Sequence, residues 1–162
     1  MFDLHPDSAH FPDSAIVKIF PSAKPIPEEI HIPIQNELNA FLDDWKTHGK
    51  PLAAQSAIIY KHFLVVVIDD AVQLPSGCSI DSLFKKIVEL ELKYQVSLND
   101  RSFVYLFEPQ NQHITAHYFH SLPNLESTQD TWVVDLMCDR YDTLRDQFIK
   151  NLIGSPYEKL FA

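Results

Sequence analysis

The run Phe63-Leu64-Val65-Val66-Val67-Ile68 restricts the fold of this chain more than any other segment. Every position in it is apolar and most are β-branched, which favours an extended strand. A strand that is apolar on both of its faces must pack against other parts of the chain on both faces, as central strands do. The run is much shorter than the roughly 20 apolar residues of a membrane helix. We therefore predict a central strand from His62 to Asp69.

The elements on either side of this strand predict an α+β fold. Apolar residues at steps of three and four indicate two helices, one ending at His48 and one running from Ser79 to about Gln95. The first begins at Glu28 or, as we favour, at Pro33, since a proline is tolerated in a first helical turn. The predicted strands are Ala15–Phe20, Ala53–Tyr60, His62–Asp69, Arg101–Phe107 and Ile114–Phe119.

The order β-α-β-β-α-β is typical of a ferredoxin-like antiparallel sheet. Connection rules place the first four strands in the order 4-1-3-2, with both helices on one face and the fifth strand beside the fourth. The second and third strands form a hairpin around Lys61, although the usual Asn-Gly or Asp-Gly turn is missing. Gly49 is expected to end the first helix in the left-handed conformation.

The pattern beyond residue 120 predicts less. Ser121–Asp130 is typical of a polar loop, and Trp132–Met137 is too short to assign by its period. A C-terminal helical extension is expected, with Asp139 as its cap and Gly154 and Pro156 ending it. Its apolar residues are Tyr141, Leu144, Phe148 and Leu152. We expect a single domain over residues 1–162.

The acidic composition excludes several classes of partner. The net charge is −9, from 22 acidic and 13 basic residues, and the densest basic pair is Lys85-Lys86. Nucleic-acid affinity requires clustered basic residues, so neither nucleic acid nor an anionic membrane is an expected partner. Cys78 and Cys138 do not form the cysteine framework of a secreted domain, and no signal peptide is visible at Met1. These features predict a cytoplasmic protein.

The segment Ser76-Gly77-Cys78-Ser79-Ile80-Asp81-Ser82 has the most chemical potential. The start of a helix presents unpaired N–H groups and the positive end of the helix dipole, which can bind an anion or favour a thiolate. In the structural alternative, Ser79 or Asp81 only caps the helix, Gly77 supplies a positive φ and Cys78 packs in the core. The sequence leaves both interpretations open.

Several strings resemble the pattern of a small family of uncharacterised bacterial proteins often labelled "ABC transporter ATPase". They are Trp45-Lys46-Thr47-His48-Gly49, Phe63, Ser-Gly-Cys-Ser-Ile-Asp at 76–81, and Asp100-Arg101. The resemblance extends from about residue 15 to the tail and implies Trp45, His48, Cys78, Asp81 and Arg101 as candidate site positions. It implies no chemistry, because no activity is known for the family.

The ATPase label conflicts with the sequence. A P-loop requires G-x-x-x-x-G-K-[ST], so that backbone amides surround the phosphates. The glycines are Gly49, Gly77 and Gly154, and none is placed at that spacing. We therefore expect no nucleotide binding and no cofactor. His113 and His117 lie roughly 13 Å apart in an extended strand, so we expect no metal site there either.

Two function classes stay open. The preferred one is a non-catalytic binding or interaction protein that uses Ser76–Ser82 for a small anion or a protein partner. A homodimer is compatible with this class, since open sheets often pair. The alternative is a thiol-dependent enzyme with Cys78 as its nucleophile. His62 is a poor base for that thiol, because the strand starting at His62 and the helix following Cys78 begin at opposite ends of the sheet.

Overall fold

The computed structural model describes residues 11–125 and 129–161 and has the predicted α+β class, with antiparallel sheets. The strands are β1 (Ile16–Pro21), β2 (Lys46–Thr47), β3 (Lys50–Pro51), β4 (Ala54–Ile59), β5 (Phe63–Ile68), β6 (Phe103–Glu108), β7 (His113–Tyr118), β8 (Trp132–Val134) and β9 (Ile149–Asn151). The helices are α1 (His31–Asp43), α2 (Gly77–Tyr94) and α3 (Tyr141–Gln147), with 3-10 turns at Glu28–Ile30, Phe119–Asn124 and Glu158–Phe161. No helix in these residues is long and apolar enough to cross a membrane.

The predicted central strand is confirmed as β5, which lies between β1 and β4 in an antiparallel sheet. All six of its residues are buried. Leu64, Val66 and Ile68 pack in one core with α1 and α2. The alternate residues Phe63, Val65 and Val67 pack in a second core, against β6 and β8. The uninterrupted apolar run thus serves two cores, one on each face of the sheet.

The hairpin that joins β4 to β5 is also confirmed, and its turn is unusual. Tyr60 and Lys61 have φ values of 48° and 59°, in the left-handed region that Asn and Gly normally occupy in such turns. The carbonyl of Ile59 accepts the N–H of His62 at 3.2 Å, whereas Ile59 lies opposite Phe63 in the register. His62 is therefore an extra residue, a β-bulge that redirects its side chain.

The predicted position of the fourth strand is wrong. β6 pairs with β7 and β8, in a second sheet of order β7-β6-β8-β9, so the described residues do not form the single ferredoxin-like sheet of order 4-1-3-2. The outer edge of β1 is taken instead by the residues before α3. Asp139 O accepts the Val17 N–H at 2.8 Å, and Ala15 O accepts the Tyr141 N–H at 2.9 Å. The fifth strand does lie beside the fourth, as expected.

The C-terminal helix is shorter than predicted. α3 ends at Gln147, its N-cap is Arg140 rather than Asp139, and Ile149–Asn151 forms β9 beside β8. The helical pattern misled because Leu144 and Phe148 face the core between the two sheets, whereas Leu152 packs on the other side of the second sheet. Within the predicted polar loop, a 3-10 turn buries Leu122 completely, and residues 126–128 lie outside the described residues.

Helix α1 also ends earlier than predicted, at Asp43 instead of His48. The segment after it turns back as the two-residue strands β2 and β3, which are paired around His48 and Gly49. Both turn residues have positive φ, 49° and 78°, so Gly49 serves a hairpin turn and not a helix cap. Pro33 lies in the first turn of α1, where its missing N–H has no cost.

Candidate functional site

Ser76 is the N-cap of α2. Its hydroxyl accepts the Ser79 N–H at 3.2 Å, and the Ser79 hydroxyl donates to Ser76 O at 2.8 Å. The expectation that Ser79 or Asp81 caps the helix is therefore wrong. Gly77 is not in the left-handed region, and a Cβ added to it would meet nothing within 4 Å. The expected positive φ of Gly77 is thus also wrong.

Trp45 joins this helix start to the β2–β3 hairpin. Its indole Nε1–H lies 3.0 Å from both Ser79 O and Ser82 Oγ, and the ring is 4% exposed. The hydroxyl of the buried Thr47 accepts the Ser76 N–H at 3.1 Å. Residues 29 to 37 positions apart in sequence are therefore held together by hydrogen bonds. His48 follows directly after Thr47 and is exposed at the hairpin turn.

Cys78 is exposed near the start of α2, as is Asp81 one turn later. The expected core position of the thiol, which was the structural alternative, is wrong. No hydrogen bond joins Cys78 to an imidazole or a carboxylate in the described residues. The three neighbouring serine hydroxyls are already engaged, since Ser82 Oγ donates to Ser79 O at 2.7 Å. The structure supplies an accessible thiol at a well-capped helix start, and no base is hydrogen-bonded to it among the described residues.

Arg101 lies away from this helix start. Its guanidinium donates to Ile19 O at 2.7 Å, and the Asp100 N–H donates to Pro21 O at 3.2 Å. Pro21 lies opposite Phe63, at the start of β5, whereas α2 begins after the end of β5. Of the residues that the resemblance implies, Trp45, His48, Cys78 and Asp81 share one end of the molecule, and Arg101 supports the edge of β1 at the other.

A large cleft lies at that other end, and sequence reasoning missed it. It has a volume of about 980 Å³ and lies between the β4–β5 turn, the β6–β7 turn and the start of α1. Three of the eight histidines line it, together with Lys61, and Glu28 is the only carboxylate residue in the lining. Its other lining residues are Pro25, Ile32, Gln35, Ile58, Ile59, Tyr60, Asn111, Gln112 and Ile114. We call it the hairpin cleft.

His62 is the most buried titratable group of the hairpin cleft, at 4% exposure. Its Nδ1 lies 2.8 Å from Ser22 O, and since a carbonyl only accepts hydrogen bonds, Nδ1 carries a proton. Burial, and to a smaller extent the nearby His113, lower the pKa of His62, so the ring is neutral at pH 7. Its Nε2, which makes no hydrogen bond within the described part of the chain, is then an acceptor.

The other basic groups in the lining of the hairpin cleft are His31, His113 and Lys61. His31 Nε2 lies 2.8 Å from Ile26 O at the start of α1, and His113 is exposed at the start of β7. Lys61 forms an exposed ion pair with Glu28. Among the described residues, no three histidine, cysteine or acidic side chains are placed to hold a metal ion. The imidazole, ammonium and amide groups that line the hairpin cleft can each form hydrogen bonds.

The three histidines gave no sequence signal because they come from elements far apart in the chain, α1, the β4–β5 bulge and β7. Comparison with protein-family models, with curated proteins and with solved structures gave no match. The resemblance drawn from the Ser-Gly-Cys-Ser-Ile-Asp string therefore stays a prediction. The function is therefore inferred from the geometry of the two ends of the molecule.

Proposed function

We propose that this chain is a non-catalytic binding protein that holds a small organic anion in the hairpin cleft. The observation that carries the proposal is the concentration of basic side chains there. Lys61, His31 and His113 meet around a cleft with one carboxylate, on a chain of net charge −9. Because Lys61 is paired with Glu28, the attraction for an anion comes from His31 and His113 when they are protonated, and it acts against the field of the whole molecule.

His62 narrows the ligand class further. Its neutral ring offers an acceptor at Nε2, so the ligand that fits best has a hydroxyl or N–H group as well as its anionic group. A ligand that donates to this acceptor gains a hydrogen bond to a ring that Ser22 O already holds in place. Ile58 and Ile114 add apolar walls.

The sequence favoured Ser76–Ser82 as the ligand site, and its role stays a prediction. Because Ser76, Ser79 and Ser82 already use their hydroxyls within α2 and with Trp45, we assign the main site to the hairpin cleft. Cys78 and Cys138 are both free thiols, as expected in a reducing compartment, and we propose that the protein acts in the cytoplasm.

The proposal is tested by calorimetric titration with citrate and with tricarballylate, which lacks only the hydroxyl of citrate. Citrate should bind more tightly than tricarballylate, because its hydroxyl can donate to His62 Nε2. Lys61→Gln and His113→Gln should each weaken citrate binding by roughly tenfold or more, because each removes a charged hydrogen-bond partner. Lys46→Gln, in the distant strand β2, is the matched control and should bind like the wild type.

Two results would contradict the proposal. One is the absence of any binding of citrate, tricarballylate or inorganic phosphate near pH 6. The other is binding that Lys61→Gln and His113→Gln leave unchanged. If tricarballylate binds as well as citrate, the anion site stands and the role of His62 as an acceptor is lost.

A second candidate, a thiol-dependent enzyme, rests on the exposure of Cys78 at the start of the 18-residue helix α2. Burial, with a contribution from Asp135, raises the pKa of Cys138 to about 11. Iodoacetamide should therefore label Cys78 in the native protein near neutral pH, and Cys138 only after denaturation. Peptide-resolved mass spectrometry over a pH series measures both. A Cys78 that stays unmodified until denaturation would eliminate the thiol enzyme.

A further inference from the structure

Helix α2 has a second apolar face that is largely exposed among the described residues. Leu83, Ile87 and Leu90 are buried in the core, as expected for an amphipathic helix. Phe84, Val88 and Leu92 are 37%, 51% and 76% exposed, and their spacing of four places them in one row along the helix. An exposed row of large apolar side chains on a soluble surface indicates an interaction site.

The side of α2 that faces α1 is a different one. Glu37 of α1 pairs with Lys93 and accepts a hydrogen bond from the Tyr94 hydroxyl. At its first residue the row touches the sheet, where the rings of Phe84 and Phe20 meet edge to face at 5.3 Å. From Val88 onward the row points into solvent. We call Phe84, Val88 and Leu92 the α2 row.

We propose that the α2 row is a homodimer interface, in which α2 packs antiparallel against α2 of a second copy about a two-fold axis at Val88. The row is symmetric about its middle residue, since Phe84 and Leu92 each lie four positions away. An isologous contact needs a self-complementary patch of this kind. Antiparallel packing places Phe84 of one copy against Leu92 of the other, and the two Val88 side chains against each other.

The charges beside the row favour the same arrangement. Lys85 and Glu89 lie on one flank of it. Lys85 has no ion pair in the described part of the chain, and the exposed Glu89 has one long pair, with Lys86 at 3.4 Å, which it can exchange for Lys85 of the second copy. With the two-fold axis at Val88, Lys85 of one copy and Glu89 of the other lie within about 3 Å of each other along the helix axis. Two symmetric ion pairs result. A parallel two-fold arrangement would instead place the two flanks on opposite sides of the contact, where Lys85 and Glu89 would not meet.

The surface is small, so the dimer should be weak and dependent on concentration. An anionic membrane is a poor alternative occupant, because the chain carries a net charge of −9 and the flank is of mixed charge. An unrelated protein partner would leave the isolated chain monomeric at every concentration. Oligomeric state therefore separates the second copy from the other occupants.

Sedimentation velocity over a range of concentrations tests the interface. The wild type should form dimers, and Val88→Glu should weaken association by tenfold or more, with an unchanged circular dichroism spectrum. Lys85→Glu and Glu89→Lys should each weaken association, and the double charge swap should restore it. A wild type that is monomeric throughout would overturn the proposal, as would a dimer that Val88→Glu leaves intact.

Cross-linking tests the axis independently, in a Cys78→Ser background that retains the buried Cys138. Val88→Cys should oxidise to a disulfide-linked dimer, because the two residues meet at the axis. Leu92→Cys should not, since the two positions lie about 12 Å apart along the helices, beyond the reach of a disulfide. Equal cross-linking of both variants, or cross-linking of Leu92→Cys alone, would contradict the proposed axis.

Discussion

At the scale of single residues, burial decides what each histidine of this chain can do. His62 occupies a bulge, donates through Nδ1 to a backbone carbonyl and packs near the rings of Phe63 and Tyr105. The same burial that lowers its pKa also makes it a fixed, neutral acceptor. His48 stands exposed in a hairpin turn and has no such constraint. Identical side chains thus have different chemistry at the two ends of the molecule.

The low pKa of His62 predicts a pH-dependent stability. An unfolded chain binds a proton at this histidine near pH 6.5, whereas the folded protein resists it, so the unfolded state holds more protons below that pH. The free energy of unfolding should therefore fall as the pH drops from about 7 to 5. Urea denaturation over this range measures it.

The controls for this prediction are two asparagine variants. His62→Asn keeps a donor for Ser22 O and should be less stable at pH 7, but with a shallower dependence on pH. His48→Asn should keep the wild-type dependence, because its position is exposed and Asn tolerates a positive φ. A His62→Asn variant with the same pH dependence as the wild type would show that His62 is not the responsible group.

The sequence indicated the helix start at residues 76–82 but not its hydrogen bonds. Local sequence rules identify a serine-rich helix start. They do not distinguish which of two serines three positions apart is the N-cap. They also could not predict that Trp45 would satisfy Ser79 O and Ser82 Oγ, because that contact depends on how α1 ends. The hairpin cleft could not be predicted from the sequence for the same reason, because its histidines come together only in the folded chain.

At the scale of elements, the positions of the helices and strands with strong periodicity were predicted well. Which strands pair with each other was predicted less well. β1, β4, β5, α1 and α2 lie close to their predicted positions. Which strand pairs with β1 or β6 depends on surfaces elsewhere in the chain, so local pattern did not determine it. β6 is itself buried on both faces. Its residues Phe103 and Tyr105 pack in the core between the two sheets, and Val104 packs on the outer side of the second sheet. It therefore forms the centre of its own sheet.

The end of α2 permits a stabilising substitution. Gln95 has φ 53° and ψ 44°, and the Val96 N–H donates to Glu91 O, which is the bond of a Schellman motif. Glycine adopts this conformation without strain, so Gln95→Gly should raise the free energy of unfolding by about 0.5–1 kcal/mol. Thermal unfolding should shift upward by roughly 1–4 °C. Gln95→Ala retains a Cβ and should bring no such gain; a glycine variant less stable than the wild type would contradict the explanation.

At the scale of the whole molecule, the two sheets share one core. Phe63 from the first sheet meets Tyr105 of the second at 5.0 Å between ring centroids, and Phe148 at 5.2 Å. Helices α1 and α2 cover the outer face of the first sheet, and residues from the 3-10 turns cover the outer face of the second. Neither sheet could keep its inner face buried without the other. That residues 1–162 form a single domain stays a prediction from the sequence.

The shared core predicts one cooperative unfolding transition. Far-ultraviolet and near-ultraviolet circular dichroism should report the same midpoint in urea. Phe63→Ala should lower the free energy of unfolding by about 3–5 kcal/mol and keep the two midpoints together. Ile153→Ala, at an exposed position, should change it by less than about 0.5 kcal/mol. Two separate transitions would show that the sheets fold as independent units.

The central claim is that the hairpin cleft binds an anion at its histidines. Nitrogen-15 spectra of the histidine side chains during a citrate titration near pH 6 measure this directly. Before citrate is added, the His62 signals should show a proton held on Nδ1, which donates to Ser22 O. Citrate should then shift the His62 Nε2 and His113 signals saturably and leave His48 unchanged. If His62 and His113 do not move, or move no more than His48, the hairpin cleft is not the binding site.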